Sequence, residues 1–270
     1  MSRPQLRARS ATEIVDAAFQ LYRRDPMTYL LLSAVCYSPL LVLQLMAGPA
    51  RSFEEQFAVM TSGVSFILLL GYWVTLSLLS ATVVRLASED YLGRRLEPSD
   101  AVREAVRHLP TVMFALLFKY VFIIIGFFLF FIPALWVLAR YFAVTAGIVL
   151  EGHGVIGTFG RSARLSRGRK MHVLGASLLV FLIFFVVYFA LAIVGAMSGS
   201  TVITTIFETV ASIVAWPMFG ITEMLLYYDA RIRGEGFDIE LMEASLGEPA
   251  PVATSDYGDR GVRPERSEGI

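Results

Sequence analysis

The sequence predicts an all-α, polytopic membrane helix bundle, with six transmembrane helices in three hairpins, each hairpin preceded by a short amphipathic helix on the cytoplasmic surface. Three observations predict it. Hydrophobic residues make up 56% of the chain and charged ones 17%, with a mean hydropathy of +0.63, which is too apolar for a soluble domain and too Phe-rich for a disordered one. The apolar residues fall in runs at least as long as the roughly 20 residues a helix needs to cross a bilayer. Net charge is zero, yet Lys and Arg gather in alternate connectors, as in chains whose basic loops stay on the cytoplasmic side.

Residues 1–9 form a basic N-terminal segment. Ser10-Ala11-Thr12-Glu13 then has the S-x-x-E form of a helix-starting capping box, so a helix is predicted to about Arg24. At helical spacing Ile14, Ala18, Leu21 and Tyr22 share one face and Glu13, Asp16, Gln20, Arg23 and Arg24 the other, the pattern of a helix lying in the interface. Asp25-Pro26 ends it, since the residue before proline is pushed out of the helical region. The first span follows over about 27–47, with Pro39 as a kink. Without a small-residue cleavage site before it, this run reads as an uncleaved anchor. The connector 48–56 is poor in bases and suits the outside. The second span, 57–87, exceeds what a bilayer needs and must tilt or protrude, with Arg85 snorkelling near its inner end.

Arg94 and Arg95 bring the chain back to the cytoplasmic side. Pro98-Ser99 opens a second amphipathic helix, with Val102, Ala105, Val106 and Leu109 opposite Arg103, Glu104, Arg107 and His108, and Pro110 is expected to stop it. The next apolar stretch is too long for one crossing. It reads as two spans, 111–131 and 133–150, turning at Phe131-Ile132-Pro133. The polar stretch 151–172 repeats the device: Val155, Ile156, Phe159 and Ala163 face one way, Arg161, Arg164 and Arg167 the other, and Gly168 breaks the helix. The last hairpin, 173–197 and 202–228, turns at Ser198-Gly199-Ser200. Tyr29 and Tyr227-Tyr228 fall at the inner boundary and Trp136 at the outer one, as aromatic belts do. A membrane domain therefore covers 10–246, with a short helix at 239–246, and 247–270 reads as a disordered cytoplasmic tail. Both termini are expected in the cytoplasm.

The chemistry-bearing residues are few. Cys36 is the only cysteine, which excludes an intramolecular disulfide and a cysteine metal cluster. His108, His153 and His172 lie in or beside connectors without H-E-x-x-H spacing, so no metal and no cofactor is expected. There is no P-loop and no G-x-S-x-G, and hence no expected enzyme activity. Gly152 to Gly157 matches G-x-G-x-x-G but follows a span instead of a strand, so it reads as a flexible exit whose free N–H groups would suit a lipid phosphate. Lys119 and Arg140 lie within spans, where a charge costs about 2.5–3.5 kcal/mol, and must face protein or water. Glu208 and Glu223 are their expected partners. Arg140 and Glu208 both lie roughly 10 Å from an outer turn at ~1.5 Å per residue, so an ion pair between them is predicted. This network either fixes packing or forms a polar path. Arg161, Arg164, Arg167, Arg169 and Lys170 are expected to contact anionic lipid headgroups, with Asp229, Glu235, Asp238, Glu240 and Glu243 as competing partners. Gly195 with Gly199 and Ala211 with Ala215 are small-residue pairs that suit close packing within the bundle or in a homodimer.

Three segments, LYRRDPMTYLLL, EGHGVIGTFGRSARLSRGR and LLYYDARIRGEGFDIELM, together resemble the glycerophosphoryl diester phosphodiesterase membrane-domain family of bacterial multi-pass proteins over about residues 10–242. In that family the membrane part can precede a soluble phosphodiesterase domain. The sequence after Met242 is short and lacks the His-rich and acidic metal-binding set that this chemistry requires, so the resemblance implies a location in the bacterial cell membrane and an architecture, without the activity. The expected function is a non-enzymatic scaffold or accessory factor that contacts anionic lipid at the inner leaflet. The alternative is a small-solute or lipid transporter using the intramembrane charges. Expected partners are membrane lipids and a homo-oligomer or another membrane protein, and not nucleic acid.

Overall fold

The computed structural model describes residues 7–47, 63–237 and 239, and among them every regular element is a helix. In chain order these are α1 (Ala11–Arg24), α2 (Pro26–Ala47), α3 (Gly63–Tyr91), α4 (Pro98–Phe128), α5 (Ile132–Arg140), α6 (Val144–Val149), α7 (Val155–Leu165), α8 (Lys170–Met197) and α9 (Thr201–Glu235). Six segments are long and apolar enough to cross a membrane: α2, α3, α4, α5 with α6, α8 and α9. The protein is a multi-pass membrane protein. Its outward surface is correspondingly apolar, with Phe66, Phe114, Phe118 and Phe189 exposed, as lipid rather than water would demand. The connector 48–56 and the tail 247–270 lie outside the described residues, as does all but position 239 of the short helix at 239–246.

α1 starts where its capping box places it. Ser10 Oγ accepts from the Glu13 N–H at 3.2 Å and the Glu13 carboxylate accepts from the Ser10 N–H at 2.7 Å. That backbone bond, with Arg7 at 2.5 Å, holds the Glu13 carboxyl down to about 2. The apolar stripe, however, is covered by protein. Ile14, Val15, Ala18 and Leu21 are buried, and α1 packs on α8 and α9. A helix with one apolar face is satisfied by protein as well as by lipid, and here the bundle offers the larger apolar partner.

Pro110 does not stop the second amphipathic segment. α4 runs without interruption from Pro98 to Phe128 with Pro110 inside it. Its ring is exposed and so displaces no neighbour, and membrane helices tolerate proline where freed backbone groups find other partners. Pro39 in α2 shows such a rescue: it has no N–H to give the Val35 carbonyl, which instead accepts from Ser38 Oγ at 2.9 Å.

The hairpin between α4 and α5 turns at residues 129–131, close to the expected place, but on two phenylalanines with positive φ, Phe130 (81°) and Phe131 (44°). The helices meet closely below the turn. A Cβ at Gly126 would lie 2.7 Å from the Ala134 nitrogen and 2.9 Å from its Cα, so only glycine fits. Gly126→Val is expected to destabilise the protein by about 1–3 kcal/mol through overpacking against backbone. Thermal unfolding in detergent checks this against Gly71→Ala, whose added Cβ meets only Leu40 Cδ1 at 3.7 Å.

The fourth segment departs most from a simple span, because it is broken at residues 141–143 into α5 and the six-residue α6. Three side chains satisfy the freed backbone. Ser162 Oγ accepts from the Ala143 N–H and donates to the Arg140 carbonyl, both at 3.1 Å. Thr158 Oγ1 donates to the Val144 carbonyl at 2.8 Å. Glu223 accepts from the N–H groups of Thr145 at 2.7 Å and Ala146 at 3.1 Å, capping α6 from another helix. Thr158 and Ser162 stand four residues apart on α7, which explains why the face that α7 buries holds hydroxyls as well as Ala163 and Leu165. Ile156, expected in the headgroup boundary, is 89% uncovered by protein. Trp136, expected at the outer boundary, carries Lys170 Nζ 4.9 Å from its ring centroid.

Candidate functional site: an intramembrane cavity

A cavity of about 690 Å³ lies among α2, α3, α4, α8 and α9, with Leu138 of α5 and Phe142 of the break completing its wall. Along α9 its lining runs from Glu208 to Leu226, about 27 Å at ~1.5 Å per residue. Most of the wall is apolar, including Leu76, Leu79, Leu116, Phe181, Phe184 and Phe219. Three charged groups, Lys119, Glu208 and Glu223, interrupt it, together with the tyrosines at 37, 72, 120 and 188 and the hydroxyls of Thr209 and Ser212. An apolar enclosure with a few convergent polar groups is the usual form of a small-molecule site.

The charged groups differ in how they are held. Lys119 is 8% exposed and forms no ion pair among the described residues. Glu223 already binds two backbone N–H groups and so joins the cavity wall to the break in the fourth segment. Glu208 sits toward the other end, fifteen residues earlier on α9.

Three of the four expected network residues therefore line one cavity, while Arg140 does not. Its guanidinium stacks over Trp136 at 4.8 Å and Tyr141 at 5.7 Å, and its Nε donates to Tyr141 Oη at 3.3 Å. The expected Arg140–Glu208 ion pair is not formed among the described residues. Equal depth did not bring them together, because α5 packs chiefly on α4 and α8, whereas Glu208 faces the cavity from α9.

The basic residues expected at lipid headgroups also separate. Arg161 is held inside the protein: its Nε and Nη2 donate to Glu151 at 2.7 and 2.6 Å, and it pairs with both carboxylate oxygens of Glu235. Tyr227 Oη donates to Glu151 at 2.6 Å, and Arg231 Nε bonds Glu235 at 3.1 Å. Burial opposes the charge of Glu151, but the bonds from Arg161 and Tyr227 outweigh it and keep this carboxyl below its ordinary value. Pairing with Glu235 and Glu151 pushes the Arg161 guanidinium up. Arg164 and Arg167 are exposed, Arg169 donates to the Ala230 carbonyl at 3.1 Å, and Lys170 lies over Trp136. Of the expected acidic competitors, Glu235 captures Arg161 and Asp229 binds Arg233 at 2.9 Å, while positions 238, 240 and 243 lie outside the described residues.

A depressed carboxyl contributes stability that is present above its ordinary value, 4.5 for Glu151, and lost as pH falls through the folded value. The wild type is expected to lose thermal stability relative to Glu151→Gln as pH drops below about 4.5, with the two curves converging in acid. A constant difference across pH would exclude the linkage.

Sequence reasoning missed Glu151 and Tyr227 as anchors and all four cavity tyrosines. A signal existed for one wall: Glu208, Thr209 and Ser212 fall at helical spacing on a mostly apolar helix. The tyrosines come from α2, α3, α4 and α8, and nothing within any one segment marks their convergence. No protein-family model, curated protein or solved structure matches the chain.

Proposed function

We propose that this protein binds an amphipathic small molecule or lipid within the bilayer and carries it across, a transporter in place of the scaffold that the sequence favoured. The observation behind this reading is the long, mostly apolar cavity with Lys119, Glu208 and Glu223 spaced along it. A structural core would fill such a volume with side chains, since protein interiors pack densely. An elongated apolar body fits the Phe and Leu walls, and a polar end meets the charged and hydroxyl groups. Capture of Arg161 by Glu151 and Glu235 supports the same choice, because it removes a central member of the row expected to read lipid.

Native mass spectrometry of protein extracted from its own membrane tests the reading. The wild type is expected to retain an amphiphile that Ser212→Trp, which fills the cavity, loses while keeping its helical circular dichroism. Identical spectra for the two proteins would reject it.

The same proposal includes a cell-membrane location with six crossings and both ends inside. It rests on Arg94, Arg95, Arg103 and Arg107, the cluster 161–170 and Arg231 and Arg233 alternating with connectors poor in bases. A cysteine at Gly199 is expected to react with an impermeant thiol reagent from outside, and one at Arg95 only after permeabilisation. The reverse labelling would sink the orientation.

A further inference from the structure

We infer that the protein holds the phosphate of an anionic phospholipid in a second cavity, separate from the first, at the start of α8. This cavity, of about 460 Å³, is lined by Gly168, Arg169, Lys170, Met171, His172 and Arg233. Three of its six lining residues, Arg169, Lys170 and Arg233, carry a positive charge and none is acidic. The nearest carboxylate is Asp229, which is 4% exposed and is shared by Arg233, the Arg9 N–H at 2.8 Å and His172 Nε2 at 3.2 Å. Arg169 and Lys170 pair with no carboxylate among the described residues. Arg169 is instead fixed by the Leu165 and Ala230 carbonyls, which orient its guanidinium but leave its charge uncompensated. Arg233 is held in place by Asp229 and the Arg9 carbonyl. The site therefore has positively charged walls that the fold itself positions.

Backbone donors add to it. No side chain caps α8, and the first of its amides to bond back to the preceding turn is that of Val173, to Arg169, which leaves the earlier N–H groups free for an anion.

The anion is identified as lipid by the rim. Met171 is 80% exposed and Trp136, which carries Lys170, is 45% exposed, so large apolar surfaces border the charged pocket. The pocket also opens at the first residues of an apolar span, Lys170–Met197, the level at which headgroup phosphates lie. A free phosphate would satisfy the cations and leave the rim bare. A phospholipid covers both. Arg164 and Arg167 are exposed yet lie outside this pocket, which makes them the natural controls.

Nanodiscs of three parts phosphatidylcholine to one part phosphatidylglycerol, followed by native mass spectrometry, test the inference. The wild type is expected to retain phosphatidylglycerol, and Lys170→Gln to hold it about fivefold less tightly, given roughly 1 kcal/mol per base near anionic lipid. Lys170→Arg should restore retention. Lys170 makes no ion pair that folding needs, so its loss leaves the protein intact, and Lys170→Gln with Arg233→Gln should lose more. Equal loss in Arg164→Gln with Arg167→Gln would show diffuse attraction to the surface and overturn the site. Displacement of the lipid by millimolar glycerol 3-phosphate would show that the headgroup alone is recognised and overturn the lipid assignment. Retention unchanged in Lys170→Gln would overturn both.

Discussion

Arg161→Leu is expected to destabilise the protein by about 2–3 kcal/mol, because it leaves Glu151, 16% exposed, with Tyr227 and His153 and with Arg231 only at 4.0 Å. The side chains of Arg161 and Glu151 are 12% and 16% exposed, which puts the pair near the buried limit, while Glu235 at 34% is screened and contributes less. The loss is also topological. Arg161 joins α7, the loop after α6 and the end of α9, so its removal weakens a three-way junction that Tyr227–Glu151 and Thr158–Val144 still hold. Thermal unfolding in detergent measures the effect. Glu151→Gln with Arg161→Gln should recover part of it, since a neutral pair leaves no uncompensated charge. Strict additivity of the two single changes would show that the contact contributes nothing.

Glu223→Ala is expected to cost about 2–4 kcal/mol and to loosen α6 specifically. It leaves the Thr145 and Ala146 N–H groups without an acceptor inside the protein, at roughly 1–3 kcal/mol for each unsatisfied buried donor. A six-residue helix has no stability of its own to offset that. Glu223→Gln retains an acceptor oxygen and should lose about half as much. Hydrogen exchange at residues 145 and 146 separates this role from a role in binding. Faster exchange in Glu223→Ala with the cavity empty assigns Glu223 to the break. Unchanged exchange with lost amphiphile retention would assign it to the ligand instead.

The span pattern could be read because hydrophobic length and the placement of Arg are local properties. The capping box at Ser10 and Glu13 and the turn at residues 198–200 needed only neighbours in sequence. What could not be read depended on lateral packing. The stripe of α1 was visible, but whether lipid or α8 and α9 would cover it was not. Pro110 looked like a stop because the rule holds for a helix in water, whereas a continuous apolar helix can carry a proline on its outer face. Arg140 and Glu208 were matched in depth, yet α5 lies against other neighbours. Lys119, Glu208 and Glu223 stood out because charge in a span is rare, and the cavity they line depends on five helices at once. Glu223 as the cap of a broken helix had no local signal at all, since Ala146, which it caps, comes seventy-seven residues before it.

The break in the fourth segment also bears on how the chain enters a membrane. Residues 132–149 have a mean hydropathy of 1.7, against 2.3 for the segment before and 3.0 for the one after. They carry Arg140, whose insertion costs about 2.5–3.5 kcal/mol, and neither half alone is long enough to cross. The insertion machinery thus meets a weak segment beside a strong one, so α5 and α6 enter as the passenger of α4. The groups that satisfy their open backbone are made afterwards, Thr158 and Ser162 first and Glu223 only near the end of the last span. Until residue 223 has left the ribosome, the Thr145 and Ala146 N–H groups lack their acceptor, so the fourth segment is completed only after most of the sixth has been made.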